Sequence, residues 1–199
     1  MQMQITTRMV TLPRLSSSFP AADKTFNDTS IMITVVGVDP GLAATGIGLV
    51  WGSGLQVGGY SYGAIKTSQN LPLPERLDHI FIKFTEVLFS RKPDLIVVED
   101  IFSLESYPQS GINLGKVCGV ILLAGVRASI PMIEMPVRQA KQILTGNGKA
   151  PKSQLEQAVR CALEAPAPIR PYHASDALGM ALIGLYRYHH IARLNPHVA

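Results

Sequence analysis

At 199 residues with 47% hydrophobic content, the chain has room for one domain with a sizeable core. Its formal charge of +4 is a mild basic excess, and its two cysteines, Cys118 and Cys161, exclude both a disulfide framework and a cysteine-based zinc site. Nothing reaches the ~18 apolar residues of a membrane span; the longest candidate, Val117 to Val126, is closed off by Lys116 and Arg127. Both cysteines lie in apolar helical patterns and read as small core residues of a reduced, cytoplasmic protein with no membrane partner.

Residues 1–30 carry little apolar periodicity, and Ser16 to Ala22 reads as loop. They are expected to form a flexible N-terminal extension, or to precede a true start at Met32. Their Ser/Thr-rich, acid-poor composition also admits organellar targeting, the less favoured reading. Ile31 to Val38 is an apolar, β-branched run and predicts a buried strand. Asp39, Pro40 and Gly41 then make a turn, and Ile47 to Trp51 returns as the second strand of a hairpin. Leu55 to Ile65 alternates and completes a three-stranded meander. After Leu71-Pro-Leu-Pro, Pro74 suits the first turn of a helix from Glu75 to Phe89. The strand Leu95 to Glu99 follows this crossover helix and should run parallel to the first.

A loop at 102–110 leads to a helix from Gly111 to Ala128. Gly111, Gly115 and Gly119 recur on it every four residues, as a close backbone approach requires. A subunit interface is favoured over contact with the chain's own sheet. A short strand at Pro131 to Met135 follows. Helices are then predicted at Pro136–Leu144, Pro151–Glu164 and His173–His190, separated by the loop Thr145–Lys149 and the proline-rich connector Ala165–Pro171. Residues 31–190 thus form one domain, and 191–199 a loose tail. The expected class is α/β: a five-stranded mixed sheet, three antiparallel strands then parallel ones, flanked by helices.

Several acids fall where these elements end. Asp39 closes the first strand, Glu99 and Asp100 close the fourth, and His173 and Asp176 open the last helix at i, i+3, on one face. A carboxylate at the lip of a hydrophobic sheet needs a partner, and converging oxygen ligands suit Mg²⁺. Asp100 should face away from Glu99, as strand neighbours do. Plainer readings stand beside these: Asp39 as a turn former, Asp176 as a first-turn acid favoured by the helix dipole, His173 as a cap. Between Arg127 and Tyr172 there are seven basic residues and three acidic ones, so the whole excess of four sits there. A basic face beside an acidic centre suits a polyanion.

The order of elements is that of the ribonuclease H-like fold, and the ordered motifs resemble the RuvC family of Holliday junction resolvases. The motifs are Gly37-Val-Asp-Pro-Gly-Leu-Ala-Ala-Thr-Gly, Val98-Glu99 followed by Phe102, Leu114-Gly115, Arg138-Gln-Ala-Lys141-Gln, Gly146-Asn-Gly-Lys149 with Lys152, and His173-Ala-Ser-Asp176-Ala-Leu. The resemblance covers about Ile33 to Leu185. It implies that Asp39, Glu99, His173 and Asp176 are the catalytic and metal-binding set, holding two Mg²⁺ ions, with Mn²⁺ as a substitute. It implies DNA contacts from Arg138, Lys141, Lys149 and Lys152, and an aromatic, Phe102, stacking on a base where the junction opens. The implied partners are four-way junction DNA, a second copy of the chain in a homodimer, and a branch-migration helicase. Many family members carry Asp where this chain has His173, and Ser103 to Gly115 contains Glu105 but no Lys or Arg.

Three other readings compete with this one. A branched-DNA nuclease of phage type would share the chemistry, with broader substrates. A non-catalytic junction-binding protein would lack the acids that are intact here. An actin-like ATPase or sugar kinase also begins its phosphate loop with strand-Asp-x-Gly, but needs a second such domain that this chain lacks.

Overall fold

The computed structural model describes residues 31–100 and 108–194. Five strands, β1 (Ile33–Asp39), β2 (Ala44–Ser53), β3 (Gln56–Lys66), β4 (Leu95–Asp100) and β5 (Met132–Pro136), form one sheet in the order β3-β2-β1-β4-β5. β1, β2 and β3 pair antiparallel, while β4 runs parallel to β1 and β5 parallel to β4. The helices are α1 (Leu73–Arg91), α2 (Pro108–Arg127), α3 (Val137–Thr145), α4 (Lys152–Ala162) and α5 (Tyr172–Leu194). This is the predicted mixed sheet flanked by helices. The N-terminal extension, Phe102 and the last five residues lie outside the described residues.

β1 and β4 are buried on both faces, which is why they read as unbroken apolar runs. Alternate residues serve two cores. Val35, Leu95 and Val97 face Leu178, Leu182 and Ile183 of α5, with α4 beyond. Val36, Val38, Ile96 and Val98 face Ile80, Phe84 and Leu88 of α1 and Val117 and Ile121 of α2. Continuing the alternation, Asp39 and Glu99 leave the sheet on the α5 side and Asp100 on the α2 side.

Every residue of α5 from Ala174 to Leu185 is buried, so the helix is apolar all round rather than striped. It sits on β1 and β2 because their glycines let it. A Cβ on Gly37 would stand 1.9 Å from the Ala177 carbonyl oxygen, and one on Gly48 2.5 Å from the Leu178 nitrogen. These glycines permit close packing, a role distinct from the turn chemistry of Gly41.

Some boundaries differ from expectation. β2 begins at Ala44, three residues early, because ladder pairing with β1 continues to Asp39↔Gly46. α5 runs to Leu194, past the expected end at His190, because Ile191 still packs into the core. The start of the expected tail is therefore helical. Neither cysteine is fully buried: Cys161 is exposed and Cys118 half-buried.

Ser110–Arg127 within α2 is long and apolar enough by composition to cross a membrane, contrary to the expectation that no stretch would be. Its arrangement explains the composition. Val117, Ile121 and Ala124 enter the core, while Ile112, Leu123 and Val126 on the opposite side are exposed.

Gly48→Ala should therefore destabilise the fold by about 3 kcal/mol or more, since a backbone cannot give way as a flexible side chain can. Gly63→Ala, where a Cβ meets nothing within 4 Å, should change stability by less than about 1 kcal/mol. Urea unfolding of the two variants checks the contrast.

Candidate active site

β1 and β4 run parallel with Val38 beside Val98, so the next residues, Asp39 and Glu99, emerge side by side. Their carboxyls face each other closely enough to share a hydrogen bond. α5 crosses above them and brings its first two turns to the same place. His173 Nδ1 lies 2.6 Å from Asp39 Oδ2; with Asp39 ionised, Nδ1–H donates, and Nε2 is left as the ring's other donor or ligand atom. Asp176 completes the group. Its Oδ2 is 3.7 Å from Lys152 Nζ, which reaches over from α4. Its Oδ1 is buried with no hydrogen-bond partner. Asp176 does not occupy the first turn, because the helix begins at Tyr172, so the plain dipole reading of this acid does not apply.

Burial sets the electrostatics. Asp39 is 8% exposed and Asp176 6%. Desolvation pushes the Asp39 carboxyl up to about 7, with Asp176 adding to the rise and the hydrogen bond from Glu99 and the charge of Lys152 opposing it; desolvation pushes Glu99 up to about 8, with Asp39 and Asp176 adding and Lys152 opposing. Asp176 is also raised by burial, opposed by Lys152, His173 and Lys141. The Cys118 thiol, on α2, is pushed up to about 12 by burial and by Glu134, Glu99, Asp100 and Asp39 around it.

The donor set fits a hard divalent cation. It offers carboxylate oxygens from three elements, one ring nitrogen, and a buried Asp176 oxygen with nothing to bond. The set is open. Among the described residues no group of three or more His, Cys, Asp or Glu side chains is drawn together tightly enough to hold a metal ion as it stands; pairwise contacts link the four. Mg²⁺, which keeps several waters and takes few carboxylates, suits such a site.

Of the basic residues expected to touch DNA, Lys152 and Lys141 flank Asp176. Arg138 lies in the first turn of α3, and its stem packs on Gly148 in the loop after that helix, next to Lys149. Sequence reasoning overlooked two residues that shape this surroundings. Gln142 holds the loop at both ends, its Nε2 donating to the Gly146 carbonyl (2.8 Å) and its Oε1 accepting from Gly148 N–H (3.0 Å). Glu156 is buried on α4, and its Oε1 accepts the Ile169 N–H at 2.9 Å, with Arg160 Nε 3.5 Å away. That bond anchors the connector that launches α5. A charged residue on an amphipathic helix carries no sequence signal of being turned inward.

The family model for the crossover junction endodeoxyribonuclease RuvC matches residues 35–184. The chain belongs to the RuvC family. The RuvC of Pelobacter propionicus is 37% identical over 169 residues, covering 83% of this chain and 94% of that protein. The RuvC of Rhodopirellula baltica is 35% identical over 152 residues, 76% of this chain and 85% of the relative. Among solved structures, Thermus thermophilus RuvC in complex with a Holliday junction substrate superposes with a TM-score of 0.73 at 31% identity, covering 80% of this chain and 96% of the other. A yeast mitochondrial Holliday junction resolvase, 9% identical with a TM-score of 0.54, shares the fold. RuvC proteins are DNA hydrolases that depend on metal ions.

Burial of Asp39 has a consequence for stability. Between the ordinary carboxyl value of 3.8 and about 7, the unfolded chain has released a proton that the folded chain keeps. Stability therefore falls as pH rises through that window and is undiminished below it. In chelator-treated protein, Asp39→Asn should melt above the wild type at pH 8, and the gap should close towards pH 4. Melting curves across that range check this, and a gap independent of pH would contradict it.

Proposed function

We propose that this chain is a Mg²⁺-dependent, structure-selective endonuclease. It resolves four-way DNA junctions in recombination and repair by paired nicks in strands of like polarity, leaving 5′-phosphate ends. The observation that carries this reading is the convergence of Asp39, Glu99 and Asp176, from β1, β4 and α5, on one buried spot bordered by Lys152 and Lys141. Membership of the RuvC family and likeness to a RuvC solved with junction DNA support it.

Two bound Mg²⁺ ions, or Mn²⁺ in their place, would supply an activated water at neutral pH and charge neutralisation at the scissile phosphate. The chain's own groups provide the frame. Asp39, Glu99 and Asp176 would hold the ions. His173 orients the Asp39 carboxylate through Nδ1 and offers Nε2 as a fourth ligand. Lys152 and Lys141 hold the phosphate of the cut strand, and Arg138 and Lys149 its flanks. Phe102, beyond the described residues, would stack on a base at the opened exchange point. Phosphate contacts should dominate affinity, so binding should weaken steeply with salt.

A four-way junction presents two equivalent strands, and a twofold dimer presents two such sites. The face of α2 turned from the sheet supports this. Ile112, Gly115, Gly119, Leu123 and Val126 follow one another at three, four, four and three residues, all exposed, and a Cβ on either glycine would meet nothing within 4 Å. This is the spacing of a helix-pairing seam. The nuclease unit spans residues 31–194, four residues beyond the expected end because α5 continues, with 1–30 as an appendage, acting on DNA in the cytoplasm beside a branch-migration helicase.

Labelled four-way, flap and linear DNA should separate the readings. The junction should be nicked symmetrically only with Mg²⁺. Asp39→Asn should cut at least about 1,000-fold more slowly while binding the junction as before. Flaps cut as fast as junctions would favour the broader phage-type nuclease, to which the cation-free Ser103–Gly115 stretch points. Leu123→Glu should sediment as a monomer; a variant that stays dimeric places the interface elsewhere.

A further inference from the structure

The turn that carries Asp39 away from β1 is held from outside by groups that belong neither to the acidic cluster nor to the basic face. Three successive carbonyls of this turn are fixed. Thr45 Oγ1 donates to the Gly41 oxygen at 2.9 Å, Thr67 Oγ1 donates to the Leu42 oxygen, and the Thr67 N–H donates to the Ala43 oxygen at 3.1 Å. Thr45 is wholly buried. Thr67 comes opposite the turn because it follows β3 directly, where Ala44 pairs with Lys66.

The Thr67 hydroxyl has one proton, and the Leu42 carbonyl takes it. Its remaining capacity is as an acceptor, and Arg76 Nε–H fills it at 2.8 Å. Arg76 is itself tied to the start of α1, its N–H donating to the Pro72 oxygen at 3.1 Å. The path from α1 to the catalytic turn is thus one arginine and one hydroxyl, each with a single orientation compatible with both of its bonds. A threonine without the arginine could turn its proton elsewhere.

We propose that Thr67 and Arg76 are positioning residues of the cleavage reaction. Arg76 orients the Thr67 hydroxyl, and Thr67 sets the turn that aims the Asp39 carboxylate at Glu99 and Asp176. Asp39 is the last residue of its strand, so the sheet restrains it on one side only, and the turn supplies the other restraint. Cleavage by metal-held water depends on placing this carboxylate, where misplacement of about 1 Å costs on the order of 100-fold in rate. The inference rests on the nuclease reading above.

The test compares Thr67→Val, which keeps the shape and loses the hydroxyl, with Thr67→Ser, which restores it, and Arg76→Lys, which keeps the charge but lacks the planar Nε–H fork. Junction affinity without divalent ions, Mg²⁺ binding by calorimetry, single-turnover cleavage and melting temperature are measured on the full chain. Thr67→Val and Arg76→Lys should each lose about 10–100-fold in single-turnover rate or Mg²⁺ affinity. Junction affinity should stay within about twofold, and Thr67→Ser should return to within about threefold of the wild type. Wild-type rate and Mg²⁺ affinity in Thr67→Val overturn the proposal, as does full activity in Arg76→Lys, which would make Arg76 a charge contact only. Should Thr67→Val fail to fold, Arg76→Lys and Thr67→Ser decide the matter by the same measurements. A wild-type protein that leaves four-way junctions uncut defeats the nuclease reading itself, a different result from a wild type that cuts alongside an unimpaired Thr67→Val.

Discussion

The packing of α5 against β1 and β2 is the constraint from which the active centre follows. The helix lies so close that side chains at Gly37 and Gly48 would occupy its backbone. At that distance the first two turns of α5 stand directly over the ends of β1 and β4. His173 and Asp176 then meet Asp39 and Glu99 without any loop having to deliver them. A site built on the ends of packed elements keeps its geometry through the rigidity of the core. The same contact buries the acids, which gives them their unusual ionisation.

Three carboxyls in one desolvated place are a burden to the folded chain. Burial raises all three, and Lys152 with Lys141 offsets only part of it. Fold stability alone would not select such a cluster. On the proposed reading, divalent ions and a phosphodiester would turn this mutual repulsion into coordination, since bound cations become the largest local charges. The lysines would then face the phosphate, and the buried Asp176 oxygen that has no partner among the protein groups would gain one. The strain of the free site is thus tied to what the site holds.

The two faces of the sheet divide the work. The α5 side carries the acids and the cations that border them. The α2 side seals the second core and turns an apolar, glycine-bearing stripe to the outside. On the proposed reading, chemistry and assembly would not compete for the same surface. α2 is also the clearest case of a composition that misleads by itself: its apolar length matches a membrane span, yet one side belongs to the protein core and the other fits a second protein surface.

Much of this was legible without coordinates, because it is local. An apolar β-branched run makes a buried strand wherever it occurs, proline and glycine punctuate it, and His173 with Asp176 at i, i+3 must share a helix face. All ten elements and the β1–β3 meander follow from such short-range patterns, and the rule that a crossover helix returns a parallel strand sets β4 parallel to β1. What only the tertiary structure decided is non-local. Strand parity against two distinct cores sends Glu99, and not Asp100, to the α5 side. Gly37 and Gly48 prove to be packing positions, Glu156 turns inward to hold the entry to α5, and Thr67 and Arg76 reach the Asp39 turn from elements far along the chain. Periodicity says which face of an element is apolar; it does not say which other element will lie against that face. That is settled by the free energy of close packing between segments that the sequence keeps apart.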